Sequence, residues 1–211
     1  MSNSPTSDAT SPVRERILRQ ARRDLFQGGY RRLTMDALSA ELGLSKKTLY
    51  VHFAGKDAIV AAIIAGLAAE VRREAEELLR NRRLDLAGKV ARFVAGQQER
   101  LAGLQPATLR DLRRCAPARY AELEEVRRTL LPWIIGRFLA EGRRSGMIDP
   151  RIPADFASAY FLEAVQGLLQ PESLERLRMA PATVMAQAVD LFFGGLLTPT
   201  GRKHHEKRTS H

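Results

Sequence analysis

A single cysteine, Cys115, excludes an intramolecular disulfide, so this chain is held together by packing and not by covalent cross-links. No apolar run approaches the roughly 18 residues that a membrane span needs. The opening segment from Met1 to Pro12 is rich in Ser, Thr and Pro and lacks the apolar core of a signal peptide. The expectation is a cytoplasmic protein with no membrane partner.

Histidine is missing where chemistry would need it. The four histidines are His52, His204, His205 and His211, and none lies between residues 61 and 197. With Cys115 the only thiol, that stretch cannot assemble the His/Cys clusters of transition-metal sensors. It also cannot supply a Ser-His-Asp or Cys-His catalytic site. Carboxylates such as Glu163 remain as ordinary acid–base groups, and no pair of them stands apart from solvated helix faces. No enzymatic activity, metal or cofactor is expected. Alternating apolar and polar runs flanked by hairpin turns are absent too, whereas helical periodicity dominates, which makes the fold all-α.

What the chain has in quantity is positive charge, unevenly spread. The formal net charge is +10 and the isoelectric point about 10.4. Residues 13–60 hold ten Lys and Arg against five acids, while residues 61–197 hold twenty against seventeen. That distribution fits a head that meets a polyanion, carried on a nearly balanced body. The flanks, 1–12 and a basic tail at 198–211, are polar enough to be expected as disordered arms.

The head, 13–54, reads as three helices. In the first, Ile17, Ala21, Leu25 and Phe26 share one side, and Gly28-Gly29 ends it. Two capped starts follow. Thr34 caps a second helix with Leu33 and Leu38 as its hydrophobic staple; eleven residues on, Ser45 caps a third with Leu44 and Leu49. Gly43 between them is placed to take the left-handed conformation that stops one helix and turns the chain. The apolar positions lock the two short helices together, leaving Lys46, Lys47, Thr48, Tyr50 and His52 outward. Short polar and methyl-bearing groups suit base edges, and cations with a phenol suit the phosphate backbone. This is a helix-turn-helix shaped for the major groove of double-stranded DNA. A long helix then opens with Lys56-Asp57, where free amides, the helix dipole and a cation would favour a phosphate.

The body, 55–197, reads as six helices, at about 55–81, 84–102, 106–114, 118–145, 153–169 and 181–197. The last two are apolar around more of their circumference than one core contact requires. A second copy is one explanation, with Phe156, Tyr160, Ala164, Leu168, Ala188, Phe192 and Gly195 at a homodimer interface; burial as central core helices is the other.

The stretch from Arg14 to Ile63 resembles the TetR family of bacterial transcriptional regulators. The resemblance rests on Ile17, Ala21, Leu25, Phe26, Gly29, Tyr30, Thr34, Met35, Leu38, Ala40, Gly43, Leu44, Ser45, Thr48, Leu49, Tyr50, His52, Phe53 and Lys56. It implies an all-α homodimer that binds a palindromic operator, most often as a repressor, and releases it when a small molecule enters the body. By position it assigns Lys47 and Thr48 to base edges, Thr34, Lys46, Tyr50, His52 and Lys56 to phosphates, and Gly43 and Ser45 to the turn and its cap. An unidentified small organic effector suits a body without histidine, with Phe93, Gln97, Tyr120, Trp133, Arg137, Tyr160, Glu163 and Gln166 as candidate walls. Core packing or a dimer contact is the alternative for each. The competing function is a ligand-binding carrier or scaffold whose head has lost sequence-specific DNA recognition.

Overall fold

The computed structural model describes residues 11–197; the expectations for residues 1–10 and for the tail at 198–211 lie outside the described residues. Among the described residues there are ten helices and no sheet, only an isolated antiparallel bridge between Ile148 and Leu197. They are α1 (Pro12–Arg32), α2 (Met35–Leu42), α3 (Lys46–His52), α4 (Lys56–Arg80), α5 (Leu86–Arg100), α6 (Pro106–Cys115), α7 (Pro117–Arg144), α8 (Ala154–Leu168), α9 (Pro171–Leu177) and α10 (Pro181–Leu196). Among these residues no single helix is long and apolar enough to cross a membrane.

Two details differ from the sequence expectation. The head is followed by seven helices instead of six, because the short α9 was not foreseen. Seven residues are too few to show a periodic pattern. Pro171 in its first turn and Arg178 in a left-handed conformation (φ 54°) bound the helix, and the fully buried Leu174 anchors it. In α1, Gly29 does break the helix (φ 76°, ψ 174°), yet helical backbone resumes and runs on to Arg32.

The described residues form two compact units, 11–67 with Ala107–Leu123, and Ala68–Pro106 with 124–197. The sequence expectation set the border at 54 and 55. The first unit instead reaches through the start of α4 and takes in α6, because α6 is bonded to α1. Thr108 Oγ1 donates to the Phe26 carbonyl at 3.1 Å, and Asp111 accepts two hydrogen bonds from Arg31. Ile17, Ala21, Leu38, Leu49, Ile59 and Val60 are fully buried here and form the core of this unit.

The second unit is built on aromatic packing. Phe138 lies 5.6 Å from Phe93 and 6.4 Å from Phe193; Phe192 lies 5.2 Å from Phe193 and 4.8 Å from Phe161, measured between ring centroids. Such tilted and edge-on pairs match the aromatic quadrupole. Polar ties within it add to this packing. Arg100 bridges Glu70 at 3.2 Å and Glu74 at 2.9 Å, while the buried Lys89 pairs with Glu141 and donates to the Leu79 carbonyl at 3.0 Å. A buried ammonium costs several kcal/mol of desolvation unless it is paired, and Lys89 is paired with a carboxylate and a helix-terminal carbonyl.

Candidate nucleic-acid interface

Local chemistry sets the start of each short helix. Thr34 Oγ1 accepts the Ala37 N–H at 3.1 Å, and Ser45 Oγ accepts the Thr48 N–H at 3.0 Å, so both expected caps form. Gly43 is left-handed (φ 63°, ψ 31°), and the reversal is closed by Leu44 N–H to the Ser39 carbonyl at 3.1 Å and Ser39 Oγ to the Leu44 carbonyl at 2.5 Å. Arg16 donates to the Leu42 carbonyl at 3.2 Å, tying α1 to the end of α2. With Leu38 and Leu49 fully buried beneath them, α2 and α3 are fixed with respect to each other.

The side of α3 away from that core carries Lys46, Lys47, Tyr50 and Val51, all exposed, with Tyr50 at 53% and Val51 at 66%. Thr48 and His52 are half-buried, and the Thr48 hydroxyl lies 2.9 Å from Ser45 Oγ. Thr48 thus completes the cap as well as flanking the surface. Thr34 and Ser45 are exposed at the helix starts. Val51 was missed because a lone valine reads as core, although its position four residues after Lys47 puts both on one helix face.

Charge on this surface is partly held back. Lys46 Nζ lies 2.5 Å from Asp36 Oδ1, and the Asp36 hydrogen bond pushes its pKa above the ordinary lysine value. Lys56 lies over the Tyr30 ring at 4.0 Å with its ammonium 3.5 Å from the Tyr30 carbonyl, so it braces α1 against α4. The Tyr30 hydroxyl donates to Asp57, the next residue of α4. Burial first, and then this carboxylate, raise the Tyr30 pKa to about 12.

Residues 17–63 match the family described as bacterial regulatory proteins, tetR family. Over 183 residues, 86% of this chain and 94% of the relative, the chain is 25% identical to the uncharacterized HTH-type transcriptional regulator YvaF of Bacillus subtilis. The head carries a TetR-family domain. Two solved structures are similar in fold. A TetR-family transcriptional regulator from Agrobacterium tumefaciens aligns with a TM-score of 0.65 at 18% identity, over 88% of this chain and 97% of that one. The regulator FadR from Bacillus subtilis, solved in complex with stearoyl-CoA, aligns with a TM-score of 0.60 at 16% identity, over 86% and 98%. These proteins are transcriptional regulators and not enzymes, and this chain is a DNA-binding helix-turn-helix regulator of transcription.

The effector walls expected of the body stand in several different surroundings. Phe93 borders an apolar crevice with Phe138, Phe161 and Phe193, but its volume is about 20 Å³, room for little more than one water. Gln97 is buried and donates to Glu74 at 2.9 Å. Tyr120 belongs to the first unit, where Arg113 lies over its ring at 5.9 Å. Tyr160 is 61% exposed and stacks on Phe156, Glu163 is exposed, and Gln166 is half-buried. Arg137 lies over Trp133, with the guanidinium 5.2 Å from the indole centroid.

The residues expected at a dimer interface also divide. Phe156, Tyr160 and Gly195 are exposed, joined by Leu191 at 80%; Ala164, Leu168 and Ala188 are half-buried. Phe192 does not belong with them. It is buried against Phe161 and Phe193, where it serves as core.

Proposed function

We propose that this regulator binds a palindromic DNA operator as a homodimer, represses transcription there, and is released by a small organic effector. The reading face is Lys46, Lys47, Tyr50 and Val51, with Thr34, Ser45, Thr48, His52 and Lys56 at its margins. One observation carries the proposal: α3, capped by Ser45, presents two ammonium groups, a phenol and an exposed valine on a single face. That set combines phosphate attraction with base-edge contact.

Dimerisation is supported by the apolar exposure of Phe156 and Tyr160 on α8 and Leu191 on α10, a patch that a soluble monomer has little reason to keep. Two helix-turn-helix heads are what a palindrome of two half-sites requires. The proposed division assigns 13–54 to DNA reading and 55–197 to effector binding and dimerisation, and the protein works in the cytoplasm where its duplex target lies. The solved FadR relative carries stearoyl-CoA, which is consistent with an organic effector in this fold.

Selection from a random duplex pool tests the proposal. The expected product is an inverted repeat bound with a steep dependence on salt. Equal affinity for all duplexes would overturn it and leave the ligand-binding carrier as the better reading.

A further inference from the structure

Among the described residues of the first unit, the large apolar side chains left exposed are Tyr50 and Val51, neighbours on α3. Tyrosine offers a hydroxyl to water, whereas valine offers nothing polar. At 66% exposure Val51 stands outside the core that holds Leu38 and Leu49, and its branched Cβ makes it a poorer helix former than the alanine or lysine that suits a solvated position. Neither packing nor local propensity accounts for it.

Its surroundings select what covers it. Lys47, one turn earlier on the same face, is exposed, and it is Lys46 that Asp36 holds. An apolar protein surface would bury the Lys47 ammonium without a counter-charge, whereas a DNA groove supplies one. In the major groove the base edges present donors and acceptors, and the one bulky apolar group among them is the C5-methyl of thymine. A valine has no hydrogen bond to offer, so against a polar edge it would strip water and replace none of the lost bonds. Against thymine it covers a methyl group. Side chains four residues apart on a helix have Cβ atoms about 5–6 Å apart, and successive base pairs rise about 3.4 Å. Lys47 and Val51 therefore fall on base pairs one or two steps apart.

We propose that Val51 packs on the C5-methyl of a thymine, so that each half-site carries a T·A pair one or two steps from the pair that Lys47 reads. This rests on the operator reading above and goes further by naming a base and the atom of it that is recognised.

The test uses the full-length protein and the sequence selected from a random duplex pool, with its thymines replaced one at a time by deoxyuridine. That exchange removes a methyl group and leaves every hydrogen-bonding group in place. At one thymine of each half-site uracil should weaken binding about fivefold, the scale of uncovering one methyl group. Val51→Ala should bind the thymine duplex more weakly by at least that factor and lose nothing further with uracil. Alanine is the better helix former at this exposed position, so the variant keeps its fold, and thermal unfolding checks it. Two results would overturn the proposal: no thymine at which uracil weakens binding, or the same loss with uracil in Val51→Ala, which would assign the methyl contact to another side chain. The two readings fail separately. A pool that yields no preferred sequence sinks the operator reading and this inference with it, while a preferred sequence bound equally well with uracil sinks this inference alone.

Discussion

Asp111 and Arg31, eighty positions apart in the chain, are joined twice. Asp111 Oδ2 accepts the Arg31 backbone N–H at 2.8 Å and Oδ1 accepts Arg31 Nε at 2.8 Å. Burial works to raise the Asp111 pKa, but the Arg31 backbone, the Cys115 thiol and the Arg31 guanidinium together hold it below the ordinary carboxylate value. A depressed folded pKa contributes stability that is present above the unfolded value, near pH 4, and is lost as pH falls through the folded value. Asp111→Asn should therefore destabilise the protein at neutral pH by about 1 kcal/mol, the Arg31 side chain being largely exposed. Urea midpoints for the two proteins should converge as pH is lowered; a constant gap would refute the linkage.

Tyr30 gives the opposite sign. Its folded pKa is raised to about 12, so its bond to Asp57 stabilises fully below the ordinary phenol value and is lost as pH rises through about 12. In a spectrophotometric titration the tyrosinate signal of Tyr30 should emerge late, and Asp57→Asn should bring it earlier. Tyr30→Phe should remove that late component.

Helix starts in the head are expected to be additive local contributors. Thr34→Ala and Ser45→Ala should each cost about 1 kcal/mol, with Ser45→Asp restoring the second. Gly43→Ala should cost about 1 to 2 kcal/mol because φ is 63°, although a methyl group there would meet nothing within 4 Å. Thermal unfolding of the four variants, compared with the parent, distinguishes strain from contact.

On DNA, Lys47→Ala and Val51→Ala should change base preference at a defined position of each half-site, costing about 1 to 3 kcal/mol on the selected operator. Asp36→Asn should do something different, tightening binding to every duplex because it frees Lys46 from its ion pair. Fluorescence anisotropy across a salt series would read both effects. Unchanged affinity in Asp36→Asn would mean that Lys46 contributes nothing to phosphate contact.

Leu191→Glu should convert the proposed dimer to monomer without unfolding it, since this side chain is 80% exposed. Phe192→Ala should instead destabilise the fold by about 3 to 5 kcal/mol, as for other buried aromatics. Sedimentation equilibrium and thermal unfolding together separate these outcomes.

The head was legible because its instructions are local. A cap acts on the amide three residues ahead, a glycine turns the chain where it stands, and Lys47 shares a face with Val51 through the helical period alone. Thr34, Gly43 and Ser45 take the expected roles for that reason. The body was legible only as helices. Which apolar side chain becomes core and which stays exposed depends on partners far along the chain, so Phe192 and Leu191, adjacent in sequence, end in opposite environments.

The sequence by itself determined an all-helical chain, the helix-turn-helix and the cations on its reading helix, all through interactions spanning three to eleven residues. Tertiary structure decided the rest. It put Asp111 on Arg31 and Thr108 on Phe26, drawing α6 into the first unit. It also set Arg72 and Arg137 on Trp133, a meeting that no local pattern announces. Side chains on different helices meet only when the core between them is packed, and burial and close packing are properties of the whole fold.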